Sequence, residues 1–512
     1  MTRVPDSPKQ QRGVTRRTVV AGAGALGAAA VAESAAARVP LRAARKRPRR
    51  VDVAIVGAGL SGIAAARELV KAGRSTIVLE AQNKVGGRAY STPVTPGSPF
   101  SIERGGEGLQ QFHTQQQMVA FARDVGIEPF KYKPTGSNVF YRNGSRGLYD
   151  RNGPFGRIPP DANGVAEGLK ASVQMEQMAA ELPPDRPWTH PRAEEWDSQT
   201  FETWQQNNNV SEGGDFLLDL GSDLFIGCES SDLSLLCTLA LVARFGTEPE
   251  VPQQTKLGTM IDTTGTVRFP GGVQQVAVRH AERLGMGKRV FLNTPVRRIE
   301  HDRKGVTVTS DRLTVSAKRV IVALPHWVSR KIDYRPILPP WRALLLQRFP
   351  MGSVIKTHAV YDKPFWREDG LTGEAFSDAS PLRFCSDETA NHPNAPGVIY
   401  GIIAGADARV WIQRSLAERR AAVIDNLVTF FGERARNPIN YVDMPWAADP
   451  WSGGAYSAYT PPGVLFDYGD AIAEPVGRIH WAGAESALRW TGSLEGAVLA
   501  GVAAAKEALG AL

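Results

Sequence analysis

Three cysteines in 512 residues, Cys228, Cys237 and Cys385, are too few and too widely spaced for a disulfide framework or a zinc site. They read as buried thiols. The chain also lacks an internal repeat and any low-complexity tract, which excludes a solenoid. It has no run of large apolar residues long enough to span a bilayer. A net charge of +8 suggests a nucleic-acid partner until it is located. Residues 1–50 hold twelve Lys/Arg against Asp6 and Glu33, a surplus of ten that leaves the rest at −2. The basic charge belongs to a leader, and no nucleic-acid face remains.

The leader has three parts in order. Thr15-Arg16-Arg17-Thr18-Val19-Val20 precedes a small-residue apolar stretch from Ala21 to Ala32, and Ala35-Ala36-Ala37 ends it. This reads as a signal peptide over 1–37 with a cut after Ala37, and the arginine pair resembles a twin-arginine (Tat) signal. The expected partner is the Tat export machinery and the expected location is outside the cytoplasm, after folding. Residues 38–49 read as a basic linker.

A nucleotide site comes directly after the linker. Val51-Asp52-Val53-Ala54-Ile55-Val56 is a buried strand, and it enters Gly57-Ala58-Gly59-Leu60-Ser61-Gly62. A helix is expected over Ile63–Ala72, then a strand over Ser75–Leu79 that ends at Glu80. Gly57 permits the turn, Gly59 clears the way for a pyrophosphate, and Gly62 lets helix and strand touch. The helix start offers free N–H groups to phosphate. Glu80 can accept ribose hydroxyls. Strand, glycine loop, helix, strand and acid together make a dinucleotide site.

Asn83-Lys84-Val85-Gly86-Gly87-Arg88 then adds two glycines and a guanidinium able to meet phosphates. This resembles the diglycine segment of FAD-containing amine oxidases. The far end agrees. Trp481-Ala482-Gly483-Ala484-Glu485 and Trp490-Thr491-Gly492-Ser493-Leu494-Glu495-Gly496 resemble that family's C-terminal flavin segment. Met351-Gly352-Ser353-Val354-Ile355-Lys356 and Ser452-Gly453-Gly454 with Tyr456 resemble its monoamine oxidase branch.

The resemblance, running from about residue 50 to 512, implies a fold and a reaction. The fold is α/β, with a Rossmann-like, glutathione-reductase-like FAD domain over 50–125, 264–345 and 449–512. An α+β substrate domain, likewise discontinuous, covers 126–263 and 346–448. The reaction is R–CH2–NH2 to an imine, then aldehyde and ammonia, with O2 reduced to H2O2. An L-amino-acid oxidase or a flavin desaturase is the alternative; the first needs an arginine, and the loop Gly105-Gly106-Glu107-Gly108 has none. Lys356 is implied to hold a water beside the flavin, and Tyr456 to wall the amine site. Ala81, Gly87, Arg88, Gly106, Val296, Trp446, Gly483, Glu485, Ser493 and Leu494 join the glycine loop and Glu80 as cofactor contacts. Ser493 stands where an aromatic is expected opposite Tyr456, which leaves the cage open. Ala455 stands where a cysteine would tether the flavin, so FAD is expected to be non-covalent. Phe225 and Ile226 are candidates for the substrate cavity. No metal site is expected, and His113, His326 and His358 read as packing or surface residues.

Overall fold

A computed structural model describes residues 48–512 except 133, 152, 154–157, 162–163 and 245–266. The leader lies outside the described residues. The described residues form one compact unit.

Two sheets organise it. The first contains eight strands. Arg49–Val56 lies at its centre, parallel to Thr76–Leu79 on one side and to Thr314–Ala323 on the other. Val290–Phe291 extends it beyond Thr76–Leu79, and Ile479–Ala482 pairs with the far half of Thr314–Ala323. The strand begins at Arg49, inside the expected linker, because Arg49 and Arg50 pair with Val315 and Ser316.

The first helix is Leu60–Lys71, three residues earlier than the pattern suggests. Gly59 is its N-cap, so Gly62 falls in the first turn. The helix packs on the C-terminal helix Leu494–Gly510, and both bury alanines along the contact: Ala64, Ala65, Ala504 and Ala505 among them. Small side chains let the axes come close. A Cβ on Gly501 would stand 2.1 Å from the Ser61 carbonyl oxygen, so that one methyl group would drive the helices apart.

The second sheet has seven strands, in the order Asn440–Pro445, Val354–Tyr361, Gly397–Ala404, Phe384–Asp387, Leu371–Ser377, Ser137–Arg142, Ser145–Asp150. Its two faces follow strand alternation. Ile355, Ala375, Cys385 and Ile403 meet the helix Leu416–Phe431. Phe376, Phe384 and Ile402 point the other way, with the helix Glu212–Phe225 packed over that side through Phe216, Leu217 and Leu220. All three cysteines are buried free thiols. No helix among the described residues is long and apolar enough to cross a membrane.

Candidate active site

The strand ends of the first sheet and the inner face of the second bound one cavity of ≈ 580 Å³. Of the nominated residues, all but Gly62, Ile226 and Glu485 line it. Segments more than 400 residues apart meet there: the Gly483 amide donates to Ser61 Oγ at 3.0 Å.

The nucleotide wall is mostly backbone. Gly57 has φ +99, and a Cβ there would lie 2.6 Å from the Ala323 carbonyl. Gly62 is closed by packing, with its Cβ position 2.0 Å from Gly57 O. Gly59 differs from both. Its φ is −67, open to any residue, and its Cβ would meet nothing nearer than Gly86 O at 3.9 Å. Neither backbone nor packing demands glycine there, and the space it leaves belongs to the cavity. Gly86 N bonds Ala58 O at 2.9 Å, tying the diglycine segment to the first loop.

Glu80 is buried at the end of its strand. Its carboxylate accepts from the Ala58 amide at 2.7 Å and the Gln82 amide at 2.8 Å, and burial pushes its carboxyl above the ordinary range. Ala81 and Val296 also line the cavity. Two helix N-termini, Leu60 and Leu494, open on the cavity. A cavity lined by an acid, glycine-edged amides and two helix starts fits FAD. Glu80 would hold the ribose, and the amides after Gly57 the pyrophosphate.

Arg88 and Glu485 are paired with each other. Resemblance puts the guanidinium on phosphate and the acid against the cofactor. Arg88 Nη1 donates to Glu485 Oε1 at 2.5 Å and to the Tyr456 carbonyl at 2.6 Å, and Nη2 donates to Glu485 Oε2 at 3.0 Å. Glu485 is 1% exposed, and a carboxylate so buried needs its counter-charge. The Arg88 guanidinium beside it holds its carboxyl below the usual range against the opposing effect of burial. Arg88 lines the cavity while Glu485 does not, and the pair fixes Tyr456 through its backbone.

The opposite wall is built of side chains. Register aligns Lys356 with Ile402, Ile402 with Phe384, and Phe384 with Phe376 across four strands. This row forms an apolar floor with one ammonium at its end. Tyr400 and Ser386, a paired position two residues along, also line the cavity. Lys356 is almost wholly buried. Its Nζ donates to Gly105 O at 3.3 Å and lies 4.4 Å from the Tyr400 ring centroid. Tyr456 faces the same space, and burial pushes its hydroxyl well up. Trp446 is buried and donates to Arg104 O at 3.0 Å. Trp451 and Phe225 line the cavity; Ile226 does not, and packs instead in the helical core.

Ser493 lines the opening, and its hydroxyl turns to the backbone. It donates to Trp490 O at 2.6 Å and accepts from Gly496 N at 3.1 Å as N-cap of the last helix. Gly106 has its Cβ position 3.0 Å from a Leu494 methyl. His358 is not a surface residue: it is fully buried, with Nε2 3.0 Å from Glu388 Oε2. His326 is buried too. Among the described residues no group of three His, Cys, Asp or Glu is placed to hold a metal ion.

Sequence reasoning missed Glu107 as a wall residue, and with it Arg268, Arg151, Glu374 and Tyr132. The loop at Gly105 carries no arginine of its own along the chain. Arg268 reaches it from a distant strand, 3.0 Å from Glu107 Oε1. Its only sequence signal is its place beside Phe269-Pro270-Gly271-Gly272.

The model of the family described as flavin containing amine oxidoreductase matches residues 60–509. The chain belongs to that family. It is 34% identical over 461 residues to a probable flavin-containing monoamine oxidase A of Dictyostelium discoideum, covering 89% of this chain and 97% of the relative. It is 35% identical over 470 residues to an L-amino acid dehydrogenase of a Synechocystis strain, covering 90% and 95%. Among solved structures, cyclohexylamine oxidase from Brevibacterium oxydans superposes with a TM-score of 0.81 at 30% identity, covering 90% of this chain and 99% of that one. This amine oxidase therefore uses FAD in a Rossmann-like α/β fold.

Proposed function

We propose that the enzyme oxidises a primary amine of largely apolar body, with O2 as acceptor and H2O2 as product. The observation that carries this is the floor: Ile402, Phe384 and Phe376 lead in one row to Lys356, with Tyr456 facing it. When bound, FAD supplies the two-electron acceptor. Tyr456 orients the amine, and Lys356 positions solvent and offsets the negative charge that builds during reoxidation. The apolar floor excludes bulk water. An amine panel with peroxide readout tests this; a protein carrying FAD that bleaches with no amine under anaerobic conditions would overturn it.

A second reading takes an L-amino acid as substrate. Arg151 and Arg268 on the cavity wall favour it, as does the likeness to a protein named L-amino acid dehydrogenase. Turnover of amino acids and not of their decarboxylated amines would decide for it.

The cofactor is proposed to be non-covalent, since Ala455 beside Tyr456 has no nucleophile to form a thioether. Acid precipitation should leave the yellow colour in the supernatant. The two sheets are proposed as the cores of the FAD domain (50–125, 264–345, 449–512) and the substrate domain (126–263, 346–448). Residues 1–37 are proposed as a Tat signal that exports the folded protein. Replacing Arg16 and Arg17 by Lys should retain it in the cell, and unchanged export would end that proposal.

A further inference from the structure

Beside Lys356 the cavity wall carries an acid for which the proposed reaction has no use. Glu107 comes just after the Gly105-Gly106 turn. One carboxylate oxygen lies 3.5 Å from Lys356 Nζ, and the other lies 3.0 Å from Arg268 Nη2. Arg268 is fixed in turn: it donates to the Asp387 carbonyl at 2.6 Å and stacks over Tyr132 at 3.8 Å. All three ionic side chains are mostly buried, at 3%, 13% and 10% exposure for Lys356, Glu107 and Arg268. The Glu107 charge also acts on the Tyr456 hydroxyl. Screening by solvent is weak at such depth, so each charge is felt by its neighbours.

We infer that Glu107 is a positioning residue for Lys356: it anchors the ammonium to a rigid Arg268 and sets how much positive charge the cavity presents to the cofactor. The argument is geometric. Lys356 has four rotatable bonds, and apart from Glu107 the only hydrogen-bond partner of its ammonium among the described residues is the Gly105 carbonyl. The carboxylate supplies a second, ionic restraint whose far side cannot move, because Arg268 is held by backbone and ring. It also shares one negative charge between two cations. Removing that charge leaves both less compensated, with Glu388 as the buried carboxylate that still acts on the two of them, and this favours the negative charge FAD acquires on reduction.

The inference rests on the reading that FAD lies against Lys356. It is tested by the midpoint potential of the bound flavin, titrated with a chemical reductant so that no substrate is needed. Glu107→Gln should raise the potential while its FAD dissociation constant stays within about threefold of the parent. Glu107→Asp, which keeps the charge on a shorter arm, should move it by less than half as much. In a Lys356→Met background the Glu107→Gln shift should fall below half its size, the coupling expected of groups in contact. An unchanged potential in Glu107→Gln overturns the inference. So does a shift that persists in full without Lys356, since Glu107 would then act directly. If Glu107→Gln does not fold, Glu107→Ser, which also removes the charge, takes its place: an unchanged potential with FAD bound overturns the inference. A purified parent holding no FAD would instead defeat the reading of the site.

Discussion

The two walls of the cavity are made of different material. The nucleotide wall is glycine loop, amide and helix terminus, and what matters at each position is a side chain that is absent. The substrate wall is a sheet face, and what matters is which side chain the register brings inward. A backbone wall tolerates almost no change at the positions that shape it, whereas a side-chain wall can be rewritten one residue at a time.

The largest effect should come from the substrate wall. Lys356→Met keeps most of the side-chain length and removes the charge. Reoxidation of the reduced enzyme by O2 should slow by about 10²–10³-fold, the usual loss when one group facing developing charge is removed. Stopped-flow mixing with O2 measures it, and an unchanged rate with flavin still bound would leave Lys356 a purely structural role.

The two glycines of the first loop sharpen the contrast. Gly62→Ala puts a methyl 2.0 Å from the Gly57 carbonyl and should destabilise the apoprotein by about 1–3 kcal/mol or more. Gly59→Ala meets nothing nearer than the Gly86 carbonyl at 3.9 Å and should leave the apoprotein's melting temperature unchanged while weakening FAD binding. Equal melting losses in both would mean that the space at Gly59 is not reserved for a ligand.

This difference explains what is legible in the sequence. The glycine spacing, Glu80 and the helix after them follow from local chemistry, so that wall can be read from the chain alone. The helix start is misplaced by such a reading because Gly59 caps it without a side chain. Lys356 and Tyr456 are reached through family resemblance. Glu107 and Arg268 are not, because 161 positions separate them and only folding brings the Arg268 strand beside the Gly105 turn. Arg88 and Glu485 stand out in the sequence, but their mutual pairing does not, since it depends on the burial of Glu485.

Outside the lining of the cavity, Glu103 ends the short strand Ser101–Glu103. Its carboxyl accepts from Ser91 Oγ and from the Val273 amide, each at 2.7 Å. Burial and then the facing Glu388 charge raise it from 4.5 to about 8, against the pull of Lys356. Above pH 4.5 the unfolded chain gives up this proton and the folded chain keeps it, so stability falls as pH rises and the loss is complete once pH passes about 8. The slope from one such group is about 1.4 kcal/mol per pH unit. Glu103→Gln should flatten the fall in melting temperature from pH 5 to 8, and a parallel curve would show that Glu103 is ionised throughout.

The smallest effect tests Ser493, where the walls join. Resemblance places it opposite Tyr456, as though it had replaced part of an aromatic cage. The structure gives its hydroxyl a different task, capping the last helix through Gly496 N and closing the turn on Trp490 O. If capping is its role, Ser493→Ala should cost about 1 kcal/mol of stability, the usual value of an N-cap, with kcat/KM falling by a similar factor for every amine. If it reads the substrate, the same change should leave stability intact and reorder the panel, penalising the more polar amines. Ser493→Asn, which keeps a capping oxygen on a larger side chain, separates the two further. Capping predicts full recovery of melting temperature, whereas substrate contact predicts a second change of specificity. Melting curves and kcat/KM ratios on the same preparations therefore show to which wall Ser493 belongs.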